Sequence, residues 1–143
     1  MGKQLTEVNN IIALDVGERR IGVAIANSLA RLPHPLLTID RKTDYWQQLK
    51  TILRDEQVAK IIVGLPRSRE GQETAQTAAT RNFIAELGQH FDLPIELQDE
   101  ALTSVKAETE LGKKGKTYTK ADVDALAATY ILEDYLSGIG QHA

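Results

Sequence analysis

The chain contains no cysteine. That excludes a disulfide framework, a thiolate nucleophile and any Cys-ligated zinc or iron–sulfur centre. It also suits a reducing compartment, and a cytoplasmic location is the expectation. Histidine is nearly as scarce: of three, only His34 and His90 lie inside the body of the chain. Two are too few for a His-rich metal site and argue against a Ser–His–Asp triad. No apolar stretch approaches the ~20 residues of a membrane span. The N-terminal MGKQLTEVNN lacks the apolar core of a signal peptide, so neither membrane insertion nor export is expected. Charge of one sign is not in excess either: 17 Lys and Arg against 20 Asp and Glu leave −3. A polybasic nucleic-acid coat is thereby excluded. Walker A and GxGxxG sequences are absent, as are internal repeats, low-complexity tracts and linkers.

What remains is an ordinary globular composition, 42% hydrophobic and 26% charged over 143 residues. That length is the size of one domain, and residues 1–143 are expected to form a single one. With thiols and imidazoles set aside, the carboxylates are left to carry any chemistry.

Asn10-Ile11-Ile12-Ala13-Leu14-Asp15 reads as a buried strand meeting a turn at Gly17. Ile21 to Ala26 follows so closely that an antiparallel hairpin is expected. Leu36 to Ile39 is a third strand. Residues 44–57 and 72–88 carry helical spacing, with Trp46 and Phe83 on apolar faces and assigned to the core. Between them, the β-branched run Lys60 to Pro66 reads as a strand buried on both faces. Pro94 to Gln98 is a fifth strand, Thr103 to Leu111 a short helix, Gly112 to Lys116 a basic loop, and 120–136 the last helix. The predicted fold is α/β: a mixed five-stranded sheet, three strands in an antiparallel meander and two parallel, flanked by helices.

Three acids stand out. Asp15 ends a very apolar strand, where a charge is costly unless compensated, although Asp is also common as a turn cap. Asp99 and Glu100 end the fifth strand. Alternation places them on opposite faces without deciding which points inward. In the last helix, a step of 100° per residue sets Ala128, Ile131 and Tyr135 within about 40° of Asp124, while Asp122 and Glu133 fall about 160–180° away. Asp124 is thus in the middle of the buried stripe. Asp122 has a simpler role, closing a capping box with Thr119. Three converging carboxylates would repel and raise one another's pKa values. Hard Mg²⁺ or Mn²⁺ relieves that repulsion. Two such ions could clamp the attacking and leaving oxygens of a phosphoryl displacement.

The sequence resembles the YqgF/RuvX family of Holliday-junction-resolvase-like pre-16S ribosomal RNA nucleases. Four blocks carry the resemblance: Ala13 to Ala24, Ile62 to Pro66 with Gly71, Asp99 to Ser104, and Val123 to Ala128. It implies a ribonuclease H-like fold and metal-dependent phosphodiester hydrolysis in the bacterial cytoplasm. Asp15, Glu100 and Asp124 match the family's acidic site, as catalytic residues and as ligands of Mg²⁺ or Mn²⁺. The strand ending Gly64-Leu65-Pro66 offers no acid, which favours Glu100 and keeps Asp99 in reserve. The third block commonly carries Arg after Asp-Glu, where this chain has Ala101. The first block often ends Ser-Asp, where this chain has Ala26-Asn27.

Eleven of the 17 cations fall in or beside predicted loops. Arg19, Arg20, Arg67, Arg69, Lys113, Lys114 and Lys116 are expected to meet nucleic-acid phosphates, which fix position without reading sequence. The partners implied are structured RNA such as pre-16S rRNA, branched DNA, and ribosomal precursor particles, bound by a monomer or a homodimer. Ala101 motivates a competing reading, a ribosome-assembly factor that binds RNA but cleaves poorly. A third, an actin- or hexokinase-type ATPase lobe, is suggested by Asp15-Val16-Gly17 ahead of Ile21-Gly22-Val23. It would need a second lobe for which the chain has no room.

Overall fold

The computed structural model describes residues 9–68, 70–100 and 119–138. The order is β1 (Asn10–Val16), β2 (Arg20–Asn27), β3 (His34–Asp40), α1 (Tyr45–Asp55), β4 (Val58–Pro66), α2 (Ala75–His90), β5 (Ile95–Glu100) and α3 (Lys120–Ser137). The expected short helix at 103–111 and basic loop at 112–116 lie outside the described residues. The five strands form one sheet in the order β3-β2-β1-β4-β5. β2 is antiparallel to β1 and to β3, while β4 is parallel to β1 and to β5. This is the meander plus two parallel strands that the spacing predicts. The C-terminal ends of β1, β4 and β5 consequently lie along the same edge of the molecule.

The sheet divides the core by side-chain parity. Ile12, Leu14 and Val16 of β1 point to one face, where they pack with Leu49, Ile52, Phe83 and Leu87 of α1 and α2. Ala13 and Ile11 point to the other, where they meet Ala128, Ile131 and Leu132 of α3. A strand covered on both sides needs apolar residues at every position, which is why β1 and β4 read as unbroken runs. Trp46 stacks on Phe83 with ring centroids 5.0 Å apart, and on His90 at 4.0 Å. No helix among the described residues is long and apolar enough to cross a membrane.

Element boundaries follow local chemistry. Asp44 and Thr74 cap α1 and α2, accepting from the backbone N–H of Gln47 and Thr77. These helices therefore begin at 45 and 75 rather than at 44 and 72. The expected Thr119–Asp122 capping box is present in α3, with both reciprocal bonds formed. α3 ends at Gly138, whose φ of 80° is the left-handed conformation glycine adopts without penalty. β5 runs to Glu100, past the predicted end at Gln98, because its ladder with β4 continues to the Pro66–Glu100 pair.

At Gly22 the backbone of α3 comes close to β2. A Cβ placed on Gly22 would lie 2.0 Å from the carbonyl oxygen of Asp124 and 2.3 Å from its carbonyl carbon. At Gly64 a Cβ would instead meet the tip of Ile131, 2.3 Å from Cδ1. Backbone cannot step aside as a side-chain terminus can. Gly22→Ala is therefore expected to destabilise the protein by about 3 kcal/mol or more, and Gly64→Ala by about 1–2 kcal/mol. Urea unfolding midpoints of the two variants test that order.

Candidate active site

Asp15 is the penultimate residue of β1, and its parity sends it to the α3 face with Ala13. Across the hairpin its partner is Gly22. The missing side chain at Gly22 is what lets the α3 backbone reach the sheet at Asp124. One glycine thus brings together two acids separated by more than a hundred residues. Asp15 keeps some accessible surface, yet it is crowded by protein. Burial, reinforced by the negative charge of Asp124, pushes its carboxyl up to about 7.

Arg20 completes the group. Its Nε donates to Oδ2 of Asp124 at 2.6 Å, and the two side chains are 32% and 20% exposed. Arg20, Gly22, Ala24 and Ala26 alternate along the α3-facing side of β2. The sequence expectation treats Arg20 as a loop cation for phosphates. The small-residue stripe that it heads was the available signal for its place beneath α3.

The structure also separates the two acids of β5. Ile95 packs into the α1/α2 cluster, so Leu97 and Asp99 share that face. Asp99 pairs there with Arg67. Glu96 lies on the opposite face, where its Oε1 accepts from Tyr135 Oη of α3 at 3.0 Å. Glu100 shares this face with Asp15 and Asp124, and its Oε1 is buried. Parity therefore favours Glu100 over Asp99 as the third acid. Even so, β5 is two strands from β1, roughly 10 Å of sheet width. Among the described residues no three His, Cys, Asp or Glu gather closely enough to hold one ion. Asp15 and Asp124 are brought together, whereas Glu100 stands on the same face at a distance.

Two of the predicted phosphate-binding cations, Arg20 and Arg67, have partners within the protein. Arg67 donates Nη1 to the carbonyl of Gly71 and Nη2 to Asp99. Two further loop cations do the same: Arg31 donates to the Leu136 carbonyl, and Arg41 to that of Gly17 at 2.9 Å. The Arg41 guanidinium also lies over the Tyr45 and Phe83 rings. Arg19 is exposed. Arg69, Lys113, Lys114 and Lys116 lie outside the described residues.

A mixed sheet in this strand order, flanked by helices on both faces, is the ribonuclease H-like fold. Solved structures of that fold superpose on it. The Fowlpox virus resolvase bound to Holliday junction DNA has a TM-score of 0.53 at 11% identity, covering 90% of this chain and 97% of that one. RuvC of T. thermophilus with a Holliday junction substrate has a TM-score of 0.52 at 12% identity, covering 92% and 98%. At such identities the likeness concerns the fold alone. Sequence comparison goes further. The family model for RuvX, described as Holliday junction resolvase, matches residues 9–138. A protein of Chloroflexus aurantiacus is 40% identical over 130 residues, 88% of this chain and 85% of its own. One from Bordetella pertussis is 38% identical over 133 residues, 92% and 96% of the two chains. Both bear the name "Putative pre-16S rRNA nuclease". The chain belongs to the RuvX (YqgF) family of nucleases, enzymes that hydrolyse phosphodiester bonds.

The raised carboxyl of Asp15 has a consequence for stability without divalent cations. Below about pH 4 it is protonated in both folded and unfolded chains. Between about 4 and 7 the unfolded chain releases the proton and the folded chain retains it, so this contribution to stability falls as pH rises. The loss approaches at most about 4 kcal/mol above pH 7. Asp15→Asn is expected to remove that slope and to raise the pH 8 unfolding midpoint in chelator, as denaturant titrations from pH 5 to 8 would show.

Proposed function

We propose that this chain is a metal-dependent endonuclease that processes the 5′ end of pre-16S rRNA during ribosome biogenesis in the cytoplasm. The observation that carries the reading is the placement of Asp15 against Asp124 at the C-terminal end of β1, in a chain of the nuclease family. The donor set fits Mg²⁺ or Mn²⁺: hard carboxylate oxygens, no thiol, and a crowded negative pair whose repulsion a cation relieves. Asp15 and Asp124 would hold the ion, and Glu100, on the same face, would reach in from β5 as the third catalytic acid or hold a second ion. When bound, the ion supplies Lewis-acid stabilisation of the phosphoryl oxygens and lowers the pKa of a bound water.

The protein supplies the rest. Packing of α3 on β2 fixes the distance between the two acids before any cation arrives. The apolar side chains around Ala13, Ala24 and Ile62 keep water from the inner side of the pair. The exposed Arg19, together with Arg69, Lys113, Lys114 and Lys116, would track the phosphate backbone, fixing position but not sequence. Arg67, held by Asp99, would border the same end of the sheet. The reading takes residues 1–143 as one nuclease domain acting as monomer or homodimer, on free precursor RNA or on ribosomal precursor particles.

The family model's description favours one alternative, cleavage of branched DNA. A panel of precursor 16S rRNA and four-way DNA junctions distinguishes the two by which is cut in Mg²⁺ or Mn²⁺. Asp15→Asn, Asp124→Asn and Glu100→Gln are each expected to lower cleavage about 100-fold or more, while Asp99→Asn stays within about threefold of wild type. Full activity in excess chelator, or in both Asp15→Asn and Asp124→Asn, would sink the assignment. RNA binding without turnover across a range of metals would instead mark an assembly factor.

A further inference from the structure

We propose that Arg20 is the resident counter-ion of the acidic pair, competing with a divalent cation for Asp124, so that cation binding releases its guanidinium to a substrate phosphate. The inference rests on the nuclease reading above. Arg20 opens β2 two residues before Gly22, the hairpin partner of Asp15, and it shares the α3-facing side of that strand. It therefore lies at the acidic end of the sheet, on the face where the two acids meet.

The contact itself shows how the exchange would work. Arg20 engages Asp124 through Nε alone. Its two terminal amino groups make no hydrogen bond to any described residue, and a third of the side chain is exposed. Among the described residues, the fork that suits a phosphate is thus uncommitted while the inner nitrogen neutralises the acid. Arg67, Arg31 and Arg41 differ, because each spends terminal nitrogens on carbonyl groups of its own fold. The oxygen that accepts from Arg20 at 2.6 Å cannot also be given fully to a divalent cation. A guanidinium held against a newly bound cation would be repelled by it, all the more where the pair is sheltered from water. Cation entry and Arg20 departure are then one exchange, and the residue moves outward to where backbone phosphates would pass.

Isothermal titration of Mg²⁺ and of Mn²⁺ into the full chain, without nucleic acid, tests the exchange. Arg20→Gln is expected to bind the cation about tenfold more tightly than wild type, because no ion pair must be broken first. Arg20→Lys is expected to stay near wild type, since an ammonium still competes for Asp124. Arg20→Met, which keeps the aliphatic stem, carries the same expectation as Arg20→Gln should the latter not fold. A second measurement follows the salt dependence of binding to a cleavage-resistant phosphorothioate RNA hairpin. In Mg²⁺ the Arg20→Gln slope should be lower than wild type by about one phosphate contact, and in chelator the two slopes should agree. Cation affinity unchanged or weakened in both neutral variants would overturn the inference and leave the nuclease reading intact, as would a slope difference of the same size in chelator. Wild-type protein that binds neither cation would overturn both.

Discussion

The contact of α3 with β2 at Gly22 is the constraint on which the rest of the site depends. A helix lying on a sheet normally stands off by the width of two layers of side chains. Here Gly22 removes one layer completely, and Ala13, Ala24, Ala26 and Ala128 thin it elsewhere. The helix backbone can then reach the strand at Asp124. Larger residues share the same interface, with Ile62, Ile131 and Leu132 in the cluster and the tip of Ile131 over Gly64. The two sheet faces consequently differ in kind: a bulky aliphatic and aromatic core under α1 and α2, and a close, small-residue contact under α3.

That closeness sets the electrostatics. Asp15 and Asp124 are carried by elements from opposite ends of the sequence, and neither could adjust its position without moving the helix. Burial and mutual repulsion leave Asp15 half-ionised near neutrality, while Arg20 holds the other acid. The proposed divalent cation would relieve that same repulsion. The neutral or protonated Asp15 and the Arg20 ion pair are two local ways of lowering the same excess of negative charge.

Much of the fold was legible because its signals are local. Unbroken β-branched runs marked β1 and β4, the short link at Gly17 marked the hairpin, and helical spacing marked α1, α2 and α3. Boundaries slipped where a cap or a ladder decided them. Thr74 started α2 three residues later than the apolar pattern suggests, and pairing with β4 drew β5 out to Glu100. The acids were legible as anomalies: Asp15 at the end of an apolar strand, Asp124 within an apolar stripe. Alternation along β5 separated Asp99 from Glu100 but could not orient them, because both sheet faces are covered and neither offers a polar side as a reference.

By itself the sequence determined the strands and helices of the described residues, the class of sheet they build, and that no thiol is available for chemistry. Those properties depend on residue type and near-neighbour spacing. Tertiary structure alone decided which acids share a face, that Glu100 is on the side of Asp15 and Asp124 but two strands from β1 while Asp99 pairs with Arg67, and that Arg20 pairs with Asp124. Each of these depends on residues 32 to 104 positions apart meeting, Arg67 and Asp99 through the pairing of β4 with β5, and Arg20 and Asp124 through the stacking of α3 on the sheet. No local pattern encodes these meetings, because the first is fixed by strand register and the second by the depth to which one helix settles over one glycine.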